Sequence, residues 1–120
     1  MFSKKALQNV KTIEKKINFI QTIVEENGDV IKALEDEKSS RAAILMHLTS
    51  IAEQFDKLMQ SGELELLGYF EKQDIKGSYD LRTFIAHNYE GVDLYIVEDV
   101  INERLNVIKK NIQTILSKKD

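Results

Sequence analysis

The sequence contains no cysteine and no proline, and only five glycines and two histidines among its 120 residues. Without cysteine, disulfides and thiolate metal sites are excluded. Two histidines leave little for a zinc site, so neither a metal nor a cofactor is expected. Without proline, and with little glycine, the main helix breakers are missing, which favours long helices. No apolar run approaches the roughly 20 residues needed to cross a bilayer. Lys4 and Lys5 are not followed by the uninterrupted apolar segment of a signal peptide. The expectation is a cytoplasmic protein with no membrane association. Positive charge is not in excess either, since the net charge is −3. That argues against broad non-specific nucleic-acid affinity and leaves room only for a few placed cations. The glycine patterns of a P-loop or a dinucleotide fold are absent. No serine stands beside a histidine with a carboxylate to orient it, so nucleophilic catalysis of that kind is unsupported.

What is present is helical periodicity, in a chain of a size for one domain, residues 1–120. Ala6, Val10, Ile13, Ile17, Ile20 and Val24 recur at steps of three or four, which predicts a helix over residues 3–27. Ser3 is its N-cap, and Asn27-Gly28 its C-terminal stop. Asp29 is placed to cap a short second helix through Val30, Ile31, Ala33 and Leu34. After a polar break, Ser39 or Ser40 opens a helix running to about Gln60. Its expected inward face is Ala43, Ile44, His47, Leu48, Ile51, Ala52, Phe55, Leu58 and Met59. His47, at the edge of that face, reads as a packing residue. Ser61-Gly62 stops this helix, and residues 64–70 form an apolar connector that is irregular or a single helical turn. Gly77-Ser78 lie within or just before the next helix, Gly77 serving as its start or as a point of close helix approach. Asp93 caps a last helix over residues 94–117, with Ile96, Val97, Val100, Ile101, Leu105, Ile108, Ile112, Ile115 and Leu116 inward. Lys109, Lys110, Lys118 and Lys119 gather at its end, where cations suit the helix dipole. No stretch alternates as a strand would. The fold class is therefore all-α, an antiparallel four-helix bundle with short additional helices.

One stretch carries chemistry: Leu81-Arg82-Thr83-Phe84-Ile85-Ala86-His87-Asn88-Tyr89-Glu90-Gly91-Val92-Asp93. Arg82 is a permanent cation able to fork onto a phosphate. His87 can exchange a proton near neutral pH. Tyr89 adds a hydroxyl and a face for stacking on a base. If the helix continued, Arg82 and Tyr89 would lie within about 20° of each other, whereas Arg82 and His87 would be about 140° apart. Either the arginine stem wraps round, or the helix loosens before Gly91, or a second subunit completes the site. The last is preferred. Phosphate binding plus proton transfer fits RNA transesterification, in which the ribose 2′-OH attacks the adjacent phosphorus. That reaction needs both a base and an acid, and one chain offers a single well-placed histidine. A two-fold homodimer supplies two.

The pattern Arg82-x4-His87-x-Tyr89, followed by Gly91-Val92-Asp93, resembles the signature of the HEPN superfamily, and within it the HepT-like toxins. That resemblance implies a metal-independent endoribonuclease toxin acting at a dimer-interface site on RNA. It assigns phosphate binding to Arg82 and acid/base chemistry to His87. It makes Tyr89 a substrate contact, and the residue that a partner, a minimal (MNT-type) nucleotidyltransferase antitoxin, adenylylates to silence the toxin. Thr83 and Glu53 are supporting residues. Thr83 stands where the family usually has asparagine or another strongly polar residue, keeping a hydroxyl but losing an amide. Ala52-Glu53 sits where the family often carries Gly-Glu, and an inward Glu53 would hold Arg82 by a carboxylate–guanidinium fork. The alternative is a catalytically inactive HEPN subunit that binds nucleotide or substrate for a separate nucleotidyltransferase. Thr83 and the acidic net charge point that way.

Overall fold

The structure, a computed structural model, describes residues 2–118. Some 84% of them are helical and none lies in a strand, which makes the fold all-α, as the periodicity predicts. Helix α1 spans Lys4–Asn27, α2 Val30–Glu35, α3 Ser40–Gln60, α4 Leu64–Leu67 and α5 Lys72–His87. A 3₁₀ turn follows at Tyr89–Gly91. Then come α6 (Leu94–Asp99), a π turn (Val100–Arg104) and α7 (Leu105–Ser117). Helix α3 is central, packing on α1 along one side and on α5 along another, while α7 closes against α1.

Local chemistry accounts for the helix ends. The Ser3 hydroxyl accepts a hydrogen bond from the Ala6 amide, and Asp29 accepts one from Lys32. Gly28 takes φ +99°, a left-handed conformation that an L side chain rarely tolerates, and so ends α1. Ser39 makes no side-chain cap to α3. Instead the Asp36 carboxylate accepts from the Ser40 amide. These bonds hold the Asp36 carboxyl below its ordinary range.

The core joins Val10, Ile13, Ile17 and Ile20 of α1 to Ile44, Leu48, Phe55 and Leu58 of α3. Leu105, Ile108, Ile112 and Ile115 of α7 close it. Phe70, from the connector, sets its ring edge-on to Phe55 at 5.0 Å, fastening the α4 region to α3.

Four details differ from the periodicity. On α3, Leu45 and Gln54 are buried, whereas Ala43 and His47 are half-buried and Met59 is exposed. The face of α3 is wider than one stripe because neighbours cover it on two sides. Gly77 neither starts α5 nor marks a close approach. It sits mid-helix, and a Cβ there would meet nothing within 4 Å. The final helix is interrupted by the wider π turn, and Ile96, expected inward, is exposed. In the basic C-terminal cluster, the Lys118 ammonium lies over the Tyr69 ring at 5.9 Å, and Lys119 falls outside the described residues.

Candidate functional site

Helix α5 carries Arg82, Thr83 and His87, and it stops at His87. The stop is built locally. Asn88 leaves the helical conformation (φ −153°, ψ 67°), and its side-chain oxygen accepts from the Gly91 amide at 3.2 Å. The same amide donates to the Asn88 carbonyl at 3.1 Å, closing the Tyr89–Gly91 turn. A Cβ at Gly91 would overlap the Asn88 carboxamide, so glycine here lets the cap fit. Asp93 then accepts from the Tyr95 amide and opens α6.

Because the helix ends before it, Tyr89 leaves the face of Arg82. The co-facial relationship that a continuous helix would give these two residues does not apply, because α5 ends at His87. The Tyr89 ring borders a groove along α3, with Lys16, Met46, His47, Ser50 and Glu53. His87 is exposed and borders a different groove, with Asp80, Thr83, Phe84 and Asn88. Arg82 is half-buried and borders neither. Its guanidinium lies over the Tyr79 ring, 5.5 Å from the centroid, as a cation–π pair. Burial pushes the Tyr79 phenol upward, with the Asp56 charge adding to it and Arg82 opposing. One chain by itself therefore gathers Thr83 with His87 but does not bring Arg82 or Tyr89 to the same groove.

Glu53 does not turn inward to hold Arg82. It is exposed at the edge of the α3 groove, and no ion pair joins it to Arg82 among the described residues. The carboxylate–guanidinium fork belongs instead to Asp74 and Arg104. Nε donates to Oδ1 at 2.7 Å and Nη2 donates to Oδ2 at 2.9 Å, with Glu71 adding an oxygen 3.2 Å from Nη2. Asp74 is buried. Sequence reasoning missed this pair. The available signal was Arg104 itself, a charge between Ile101, Leu105 and Ile108 on the inward phase of the last helix.

His47 packs as expected, its ring tilted against Phe19 at 5.3 Å. Burial lowers its pKa, and the neighbouring Lys16 charge lowers it further. Among the described residues, no three His, Asp or Glu side chains gather as metal ligands would.

A family model described as ribonuclease HepT-like matches residues 13–115, which contain every element just described except the first nine residues of α1 and the end of α7. The chain belongs to the HepT-like ribonuclease family. Comparison with curated proteins and with solved structures found no match. The HepT-like match takes in the whole stretch from Arg82 to Asp93, together with Glu53 and the Asp74–Arg104 fork.

Next to the His87 groove lies an apolar one, lined by Leu81, Phe84, Val92 and Ile96 and sharing Asp80 and Phe84 with it. Phe84 is 52% and Ile96 53% exposed, an apolar pair left bare beside the histidine.

Proposed function

We propose that this HepT-like chain is a metal-independent endoribonuclease of the toxin type, working in the cytoplasm as a homodimer. The observation that carries the reading is the position of His87. It is exposed at the end of α5, on a groove continuous with the bare Phe84–Ile96 face. On this reading a second copy seated on that face through a two-fold axis sets two His87 side chains at one cleft, which each Arg82 reaches by leaving the Tyr79 ring. This answers the separation of Arg82 from His87 within one chain.

In that cleft, one His87 takes the proton from a ribose 2′-OH. The 2′ oxygen bonds to the adjacent phosphorus as the bond to the 5′ oxygen breaks. The other His87 protonates the departing 5′ oxygen. Arg82 steadies the charge that builds on the phosphorane, and Thr83 offers a hydroxyl to the same groove. The products are a 2′,3′-cyclic phosphate and a 5′-hydroxyl. Control comes from a nucleotidyltransferase antitoxin. The Tyr89 phenol oxygen attacks the α-phosphorus of ATP, pyrophosphate leaves, and the attached AMP adds an anion and a base next to the cleft. The 40% exposure of Tyr89 supports its accessibility to such a partner.

Incubation with RNA in the presence of a chelator tests the reading. Cleavage with cyclic-phosphate ends is expected, and His87→Ala should abolish it without lowering thermal stability, since the side chain is exposed. Phe84→Glu should give a monomer in sedimentation and lose cleavage with it. Full cleavage by His87→Ala overturns the mechanism. Co-expression with the nucleotidyltransferase should add AMP by mass, and Tyr89→Phe should remove that addition.

A second reading is supported by one observation: Arg82 is occupied by Tyr79 and does not face the His87 groove. On that reading the chain is an inactive subunit that holds nucleotide or substrate for the nucleotidyltransferase. Absence of cleavage together with retained partner binding would select it.

A further inference from the structure

The groove beside Tyr89 adjoins an aromatic ring on α1, and its chemistry differs from that of the His87 groove. Phe19, on α1, is 40% exposed although it lies on a helix whose apolar residues are otherwise mostly inward. Two ammonium groups flank its ring, Lys15 and Lys16, each 5.7 Å from the centroid. Its other neighbour is His47, at 5.3 Å. His47 and Lys16 also line the groove that Tyr89 closes. An exposed ring, two cations, an imidazole and a phenol thus share one continuous surface between α1, α3 and the turn after α5. Ser50 and Thr49 add hydroxyls along its floor. Burial first, and then the Lys16 charge, hold the His47 pKa down. The single opposing charge lining the groove is Glu53.

Aromatic faces interleaved with cations suit an unpaired base and its phosphate. The ring stacks on the base whatever its identity, and the ammonium groups neutralise the backbone. Base-paired RNA hides its π-faces and does not fit this surface. Such a local site is also what a chain of net charge −3 requires, because its overall field does not attract a polyanion. We propose that the surface running from Phe19 through His47 and Lys16 into the groove beside Tyr89 is a binding subsite for single-stranded RNA. It holds an unpaired nucleotide on Phe19, with Lys15 and Lys16 at the phosphates. This rests on the RNA-directed reading above and extends it to the path of the strand away from the reacting phosphate.

Binding of a labelled single-stranded oligoribonucleotide, followed by fluorescence anisotropy in a His87→Ala background, tests this with no cleavage to interfere. Phe19→Ala should weaken binding about tenfold, the order of one lost base stack. Lys15→Ala with Lys16→Ala should flatten the dependence of log K on log salt by about 0.7 for each lysine removed. Glu53→Gln should tighten binding. The chain has two histidines, so the His87→Ala protein leaves His47 as its one imidazole, and its ring resonances should move when the strand is added. Circular dichroism melting of each variant separates loss of binding from loss of fold. Unchanged affinity in both the Phe19 and the lysine variants overturns the proposal, as does equal affinity for duplex RNA. A Phe19→Ala protein that changes its association state and not its RNA affinity overturns it too, and assigns the groove to a protein partner. Cleavage by the protein with the native His87 is scored separately, so a chain that binds RNA without cutting it loses the nuclease reading and keeps the subsite.

Discussion

Arg104 grips Asp74 with two parallel hydrogen bonds of 2.7 and 2.9 Å across 30 residues of sequence, tying the π turn to the first turn of α5. Two-point contact of this kind fixes orientation as well as distance. The guanidinium holds its proton more tightly than usual, chiefly because of the bonds to Asp74. The consequence for function is mechanical: α5 bears His87, and the fork sets where α5 begins.

Asp74→Ala should therefore destabilise the fold by about 2 kcal/mol, because a partly covered guanidinium is left with only the exposed Glu71. Arg104→Met in the same chain should recover part of that loss, since no uncompensated charge then remains. Urea unfolding of the single and double variants measures both. A double variant no better than Asp74→Ala alone would show that the pair contributes more than charge compensation.

Gly77→Ala should raise stability by about 1 kcal/mol. The position is an exposed helix interior, and a Cβ there meets open space. A shift of the urea midpoint upward with unchanged slope is the expected result. A fall would mean that something packs on this side of α5.

Asn88→Ala and Gly91→Ala should each cost about 1 kcal/mol, the range for a lost cap. They act on one contact, the Asn88 oxygen to the Gly91 amide, so the double variant should cost little more than either single one. Additive losses would place the effect elsewhere. The mobility of Tyr89, read from its ring resonances, should rise in both.

His47 gives stability a pH dependence with a defined sign. Its pKa is lowered in the folded protein, through burial and through Lys16. The neutral form is thus favoured by folding, and this contribution is fully present above the ordinary value of about 6.5. It is lost as pH falls from there through the folded-state value, because the unfolded chain binds the proton first. The melting temperature should decline over that window, and His47→Gln should flatten the decline. An unchanged slope in His47→Gln would assign it to other groups.

How much of this was legible in the residues follows a physical boundary. Helix positions and most caps were, because they depend on neighbours within a turn or two. Ser3 and Asp29 accept from amides three residues on, the Gly28 amide donates to the Glu25 carbonyl, and the Ile13–Ile17–Ile20 stripe is written at the helical period. The motif could also be read as a set of residue types. Its geometry could not, since α5 stops at His87 and the Gly91 amide bonds back to Asn88 through both its carbonyl and its side chain, ending the register that would have put Tyr89 above Arg82.

By itself, the sequence determined an all-α chain, the positions of most of its helices, and the Arg82–His87–Tyr89 stretch as a set of residues. Tertiary structure alone decided that Asp74, not Glu53, meets an arginine. It also decided that His87 and Tyr89 open onto different grooves, and that Phe19 stays exposed against His47. The reason is range. Periodicity and capping are set by chemistry a few residues along the chain, whereas these pairings depend on how whole helices rotate against one another, and no short stretch encodes that rotation.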